Sequence, residues 1–292
     1  MKKIFCKLAI LLAILISFVG CGNIDDSANN DKLKVSVSIS TLSEFTEAIG
    51  GDKVDVYTVV KDNMEPHDFD FSPSDKKEIM KRKLLIYNGL GLESWVNEAV
   101  EDDSKIKLVD TSKNANVRTE DDKEDPHLWL SIKEAENQCT NIKDALIEAD
   151  SDNADYYEEN YNKYIKQLNN LYDEYSPKFA KVKGKTFITS HEAFGYLCRE
   201  WELTQRSING LSNDEGETTF KTMEDLVSYC KQNDIKTIFS EGTESQKTSD
   251  TLANEVGAKV IPIYTLETKV EGKTYIEAMK ENYDKILGAL GA

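Results

Sequence analysis

Residues 151–175 read SDNADYYEENYNKYIKQLNNLYDEY, and this stretch decides the fold. Tyr157, Tyr161, Tyr164, Leu168, Leu171 and Tyr175 recur at alternating steps of four and three, so they share one side of a helix. Glu158, Glu159, Asn160, Lys163, Lys166 and Gln167 lie between them and suit a solvated face. Neither Gly nor Pro interrupts the pattern before Pro177, which is expected to end it. At 1.5 Å per residue the segment is roughly 35–40 Å long, the width of a small domain. Two of the chain's three histidines precede it and one follows. The reading is a single helix joining two lobes, with the histidines converging between them.

The flanks support that reading. Residues 33–39 alternate as a strand does, a helix spans about 42–49, and residues 54–60 form a second strand. Ser72-Pro73-Ser74-Asp75 carries the cap, the first-position proline and the acid of a helix start. Residues 84–87 and 106–109 are buried strands, and a helix from 131 to about 149 leads into the long one. Beyond it, residues 186–189, 236–240 and 258–264 are strands, and a last helix covers about 273–290. The fold class is therefore α/β: two lobes, each a mostly parallel sheet flanked by helices, joined by one long linker helix. The lobes are expected at 33–150 and 178–292, with the linker at 151–177.

The chain opens differently. Lys2, Lys3 and Lys7 form a positive start, and residues 8–19 are apolar but short for a membrane span. Phe18-Val19-Gly20-Cys21 then runs small residues into a cysteine. This looks like a bacterial lipoprotein signal peptide, residues 1–20, with lipid (palmitate) on Cys21; the alternative is an uncleaved anchor helix. Residues 21–32 would be a flexible tether. The formal charge is −17, and loss of the signal would remove three lysines and no acid. So acidic a surface argues against nucleic acid, whose phosphates need clustered Lys and Arg.

Of the remaining cysteines, Cys139, Cys198 and Cys230 each fall on an apolar helical stripe, and their odd number argues against a disulfide framework. The histidines read otherwise. His67, His127 and His191 each follow a loop signal at an element boundary; His67 and His191 fall in or beside the loops where open parallel sheets carry their sites, and His127 opens the helix that feeds the linker. Glu241 and Glu267 fall in or beside loops of the same kind. Neutral imidazoles with a carboxylate suit Zn²⁺ and, less selectively, Mn²⁺ or Fe²⁺. An unperturbed histidine titrates near 6.5, so such a site is expected to weaken below about pH 6.

Pro66-His67-Asp68-Phe69-Asp70-Phe71-Ser72-Pro73-Ser74-Asp75, with Tyr87-Asn88-Gly89-Leu90-Gly91-Leu92-Glu93-Ser94-Trp95, resembles the first lobe of the metal-binding solute-binding lipoproteins of bacterial ABC transporters. Asp125-Pro126-His127-Leu128-Trp129-Leu130 and Ser190-His191-Glu192-Ala193-Phe194-Gly195-Tyr196 are similar to that family's second and third ligand motifs. The resemblance covers nearly all of the mature chain, in order. It implies a monomeric two-lobed receptor on the outer face of the cytoplasmic membrane, not an enzyme. Such a receptor captures a divalent metal between its lobes and delivers it to an ABC permease.

Histidine at the third position, His191, is similar to the zinc-uptake branch, whereas manganese binders tend to have a carboxylate there. Residues 119–125 form a short acidic loop without the His-rich insertion common in zinc-uptake relatives. For the fourth ligand the resemblance implies an acid after the last strand. Tyr264 stands where many relatives have Asp, and Glu267 is similar to the glutamate of some zinc binders. Glu241 is the rival, and water completing a three-histidine site is the other possibility. A manganese or iron receptor, an adhesin-like lipoprotein and a zinc hydrolase are the alternative functions.

Overall fold

The computed structural model describes residues 32–62, 64–100, 105–120, 122–211, 220–241 and 246–292. The signal segment and Cys21 lie outside the described residues. Residues Leu33–Ala292 belong to one compact unit.

In the first half β1 (Leu33–Val37) leads through α1 (Ser40–Gly50) to β2 (Val54–Thr58), and α2 (Pro73–Ile79) to β3 (Leu84–Tyr87). The short α3 (Val96–Ala99) precedes β4 (Lys107–Asp110). These strands form a parallel sheet in the order β2-β1-β3-β4. Ser72 caps α2 as expected: its side chain accepts from the Asp75 backbone while Asp75 accepts from Ser72 N–H. The acidic stretch at 119–125 is not a plain loop. It contains a two-rung antiparallel hairpin, β5 (Thr119–Glu120) and β6 (Lys123–Glu124).

Next come α4 (Ile132–Ala149) and the long α5 (Ala154–Phe179). The second half contains β7 (Thr186–Thr189), α6 (Gly195–Trp201), β8 (Thr204–Ser207), α7 (Phe220–Gln232), β9 (Thr237–Glu241), α8 (Gln246–Val256), β10 (Lys259–Ile263) and α9 (Tyr275–Leu290). Its strands pair in parallel in the order β10-β9-β7-β8. Taken in chain order, both sheets thus read second-first-third-fourth. The fold class is α/β with two parallel sheets and one long helix, as the sequence predicts.

The predicted stripe on α5 is buried at Tyr157, Tyr164, Leu168, Leu171 and Tyr175, and Tyr161 is half-buried with its hydroxyl 2.8 Å from Thr140 Oγ1. Pro177 does not end the helix, which runs two residues further. Proline lacks only one backbone donor, and a last turn can bear that loss when its end is well packed. Here Phe179 is buried, stacked on Trp201 at 4.7 Å between centroids and edge-on to Tyr283 at 5.2 Å.

The halves are also joined by two carboxylates, each serving a helix start in the other half. Glu200 on α6 accepts from Ile132 N–H (3.1 Å), Lys133 N–H (3.0 Å) and Ser131 Oγ (2.9 Å) at the start of α4. Glu44 on α1 accepts from Tyr275 N–H (2.8 Å) at the start of α9. Both satisfy orphan donors and face the positive end of a helix.

Candidate metal centre

The site residues come from carboxyl-terminal strand ends or the loops that follow them, where helix-flanked parallel sheets present their ligand groups. His67 follows β2, His127 follows β4 and the hairpin, and His191 follows β7. Glu241 is the last residue of β9, and Glu267 lies four residues beyond β10.

The structure brings the three histidines together: one ring nitrogen from each lies within 4.8 Å of the others. The rings of His127 and His191 are 4.9 Å apart between centroids, and His67 lies 5.3 Å from the former and 5.5 Å from the latter. Nε2 of His67 is 3.3 Å from Nε2 of His127. Glu267 Oε1 points at both, 3.3 Å from His127 Nε2 and 3.6 Å from His67 Nε2. Its other oxygen, Oε2, accepts from Thr265 Oγ1 at 3.1 Å, which leaves Oε1 to the two imidazoles. Lone pairs collected around one point, with a buried carboxylate oxygen aimed at it, make a donor set that a cation fits.

Glu267 is held in place by its backbone. Leu266 has a φ of 63°, in the left-handed region that a branched side chain rarely enters. Its carbonyl accepts from Thr41 Oγ1 on α1, and the Thr265 carbonyl accepts from Trp129 Nε1 at 2.6 Å. Both donors belong to the first half, so the final loop of the second half is bonded to the elements around His127. Strain of this kind persists only where the surroundings enforce it.

Glu241 is placed differently. It is buried beside His191, accepts from Ser190 Oγ at 2.9 Å, and has Oε2 3.7 Å from His191 Nδ1. His191 Nε2 lies 2.9 Å from the Leu211 carbonyl. This carboxylate therefore borders the histidine cluster without joining it.

Around His127 a supporting set appears that the sequence reading did not single out. Asp125 Oδ1 accepts from His127 N–H at 3.0 Å and sits 2.8 Å from its Nδ1, and Asp125 Oδ2 accepts from Arg118 Nη1 at 2.8 Å. Asn88 donates to the Pro126 carbonyl at 2.8 Å and itself accepts from Gln138 at 2.8 Å. Tyr196 donates to the Asp125 carbonyl at 2.8 Å from the other half. The second missed residue is Glu65, whose carboxylate joins His67 and Glu267 in a further three-membered group with ligand atoms within 4.8 Å. A signal was available. Acid-Pro-His occurs twice, as Glu65-Pro66-His67 and Asp125-Pro126-His127.

Electrostatics split the histidines. Burial alone would strip the proton from His127, but hydrogen bonds to Asp125 and Glu267 raise its pKa to about 9. Burial, reinforced by the charge on His127, lowers His191 to about 4. Burial also opposes ionisation of Glu267, yet hydrogen bonds from His127 and His67 hold its carboxyl well below the usual range. These shifts favour a charged His127 against Glu267 and a neutral His191.

Residues 35–289 match the zinc-uptake complex component A family, ZnuA, described as periplasmic. The high-affinity zinc uptake system protein ZnuA of Bacillus subtilis (strain 168) is 34% identical over 316 residues, covering 99% of both chains. The manganese ABC transporter substrate-binding lipoprotein PsaA of Streptococcus mitis is 29% identical over 311 residues, again covering 99% of both. Among solved structures, the laminin-binding protein Lmb of Streptococcus agalactiae, described as a bifunctional protein with adhesin and metal-transporting activity, superposes with a TM-score of 0.83. It is 29% identical and covers 88% of this chain and 99% of its own. The chain belongs to the ZnuA family, and so to the metal-binding, substrate-binding components of ABC transporters. These are transport components rather than enzymes, which removes the hydrolase alternative.

Proposed function

We propose that this chain is the extracytoplasmic receptor of an ABC importer, capturing Zn²⁺ with His67, His127, His191 and Glu267 and passing it to the permease. Residues 33–150 and 178–292 act as the lobes, with 151–177 between them. The observation that carries this reading is the convergence of three imidazoles, with Glu267 Oε1 3.3 Å and 3.6 Å from the Nε2 atoms of two of them. Three nitrogens and one oxygen give the four-coordinate shell that zinc favours, whereas manganese prefers more oxygens and a higher coordination number. Relatives named for zinc and for manganese both align with the chain, so the ion is chosen here on donor chemistry. The test is to purify the mature protein, measure its metal content, strip it, and titrate with Zn²⁺ and Mn²⁺. Zinc is expected to bind at least about 100-fold tighter. Tighter binding of Mn²⁺ would assign the chain to manganese uptake.

The lipoprotein reading places the receptor on the outer face of the cytoplasmic membrane through Cys21. Among the described residues no helix is long and apolar enough to cross a membrane. Cys21→Ala is expected to release the protein into the soluble fraction with its zinc affinity in solution unchanged. A variant that is exported but stays in the membrane fraction through a carbonate wash points to an uncleaved anchor instead.

A further inference from the structure

Glu65 and Asp125 occupy the same place in two acid-Pro-His turns, yet they do different things. Asp125 is fully buried and turns back on its own histidine, holding both the backbone N–H and Nδ1 of His127. Glu65 is half-buried and one methylene longer. Its Oε1 is 3.4 Å from the His67 backbone nitrogen, and one of its carboxylate oxygens lies within 4.8 Å of the ligand atoms of His67 and Glu267. Two ligand groups therefore overlap. The inner one is His67, His127 and His191; the outer one is Glu65, His67 and Glu267. His67 belongs to both, and Glu267 lies against both of the inner Nε2 atoms that face it.

Solvent reaches this arrangement from the His67 side. An open cavity of about 350 Å³ ends on His67 and is lined also by Leu90, Leu92, Pro126, Leu211 and the exposed pair Lys123 and Glu124. None of the other ligand residues lines it: His127, His191 and Glu267 are buried, and Glu65 is half-buried beside His67. An ion crossing directly to the three histidines would lose its water before gaining nitrogens, which is costly for a divalent charge. Two carboxylates flanking one imidazole offer a halfway set, exchanging waters for oxygens first.

We propose that Glu65 is an acceptor ligand on the path of the ion: metal binds first to Glu65, His67 and Glu267, then slides inward to the three histidines, leaving Glu65. This rests on the metal-receptor reading above. A group used on the path and released at rest alters both rates and leaves the equilibrium alone. Glu65→Gln is therefore expected to slow zinc association and chelator-driven dissociation by about tenfold each, with Kd within about threefold of the parent.

The experiment is stopped-flow mixing of the full mature protein with Zn²⁺, paired with equilibrium titration and a thermal melt to establish that each variant folds. Glu124→Gln is run alongside, because removing any acid at the cavity mouth weakens attraction of cations. Its slowing should be less than about twofold and vanish in about 0.5 M NaCl, while that of Glu65→Gln persists. Glu65→Asp, which shortens the reach, should resemble Glu65→Gln. A weakened Kd with unchanged association would make Glu65 a resting ligand and overturn the proposal, as would unchanged rates or slowing that salt abolishes. Failure of the parent protein to bind zinc at all would instead overturn the receptor reading.

Discussion

Glu267→Gln is expected to weaken zinc binding by at least about a hundredfold, whereas Glu241→Gln should stay within about tenfold of the parent. The two glutamates are both buried, both in the second half, and both near a histidine. Their geometry separates them. Glu267 directs Oε1 at two Nε2 atoms at once, while Glu241 takes Ser190 Oγ and stands against the single nitrogen His191 Nδ1. Loss of the first removes a ligand and the negative charge that balances the ion; loss of the second relaxes only the support of one ring. A secondary effect opposes the first loss. Without Glu267, His127 holds its proton less tightly, so the proton competes less with zinc. A large drop observed in spite of that relief reports direct coordination. Competition titration against a zinc chelator checks both variants, and full affinity in Glu267→Gln with loss in Glu241→Gln would exchange their roles.

The fold was legible because apolar periodicity was strong wherever an element is buried. β3, with the sequence LLIY, is almost wholly buried, and the α5 stripe alternates four and three along a helix that touches both halves. What was missed is short, polar or decided by distant packing. β8 is an edge strand with the sequence TQRS, exposed or half-buried throughout, so no apolar alternation marks it. The β5–β6 hairpin has two residues per strand, and the continuation of α5 through Pro177 depends on Phe179 meeting Trp201 from another helix. At the site, the three histidines stood out by rarity and placement. Glu267 is preferred to Glu241 already on the family resemblance, and the coordinates add the direction of each carboxylate. Asp125 sits in a motif already singled out, but its hold on His127, Arg118 and the first turn of the ligand loop is a matter of local geometry.

The same hold changes the expected pH dependence. From unperturbed histidines the site should weaken below about pH 6; the folded environment moves the window upward. His191, lowered to about 4, is neutral already and releases nothing at physiological pH. Glu267, held well below the usual range, is ionised. His127 is the group that must change, since its pKa is raised to about 9 and zinc needs its lone pair. Zinc uptake at about pH 7 is thus expected to release close to one proton from this residue, with apparent affinity climbing roughly tenfold per pH unit until it levels near pH 9. Stability follows with the opposite sign. A raised folded pKa gives stabilisation that is fully present below the unfolded value of about 6.5 and is lost as pH rises through about 9. The melting temperature of the metal-free protein should therefore fall between about pH 7 and 9.5, while zinc, standing in for the proton between His127 and Glu267, spares the loaded protein that loss. Calorimetric titration in buffers of differing ionisation enthalpy counts the proton, and paired melts read the stability. Apparent affinity that is flat from pH 7 to 9 would mean that His127 is neutral before the ion arrives, and that the Asp125 and Glu267 carboxylates do not hold its proton.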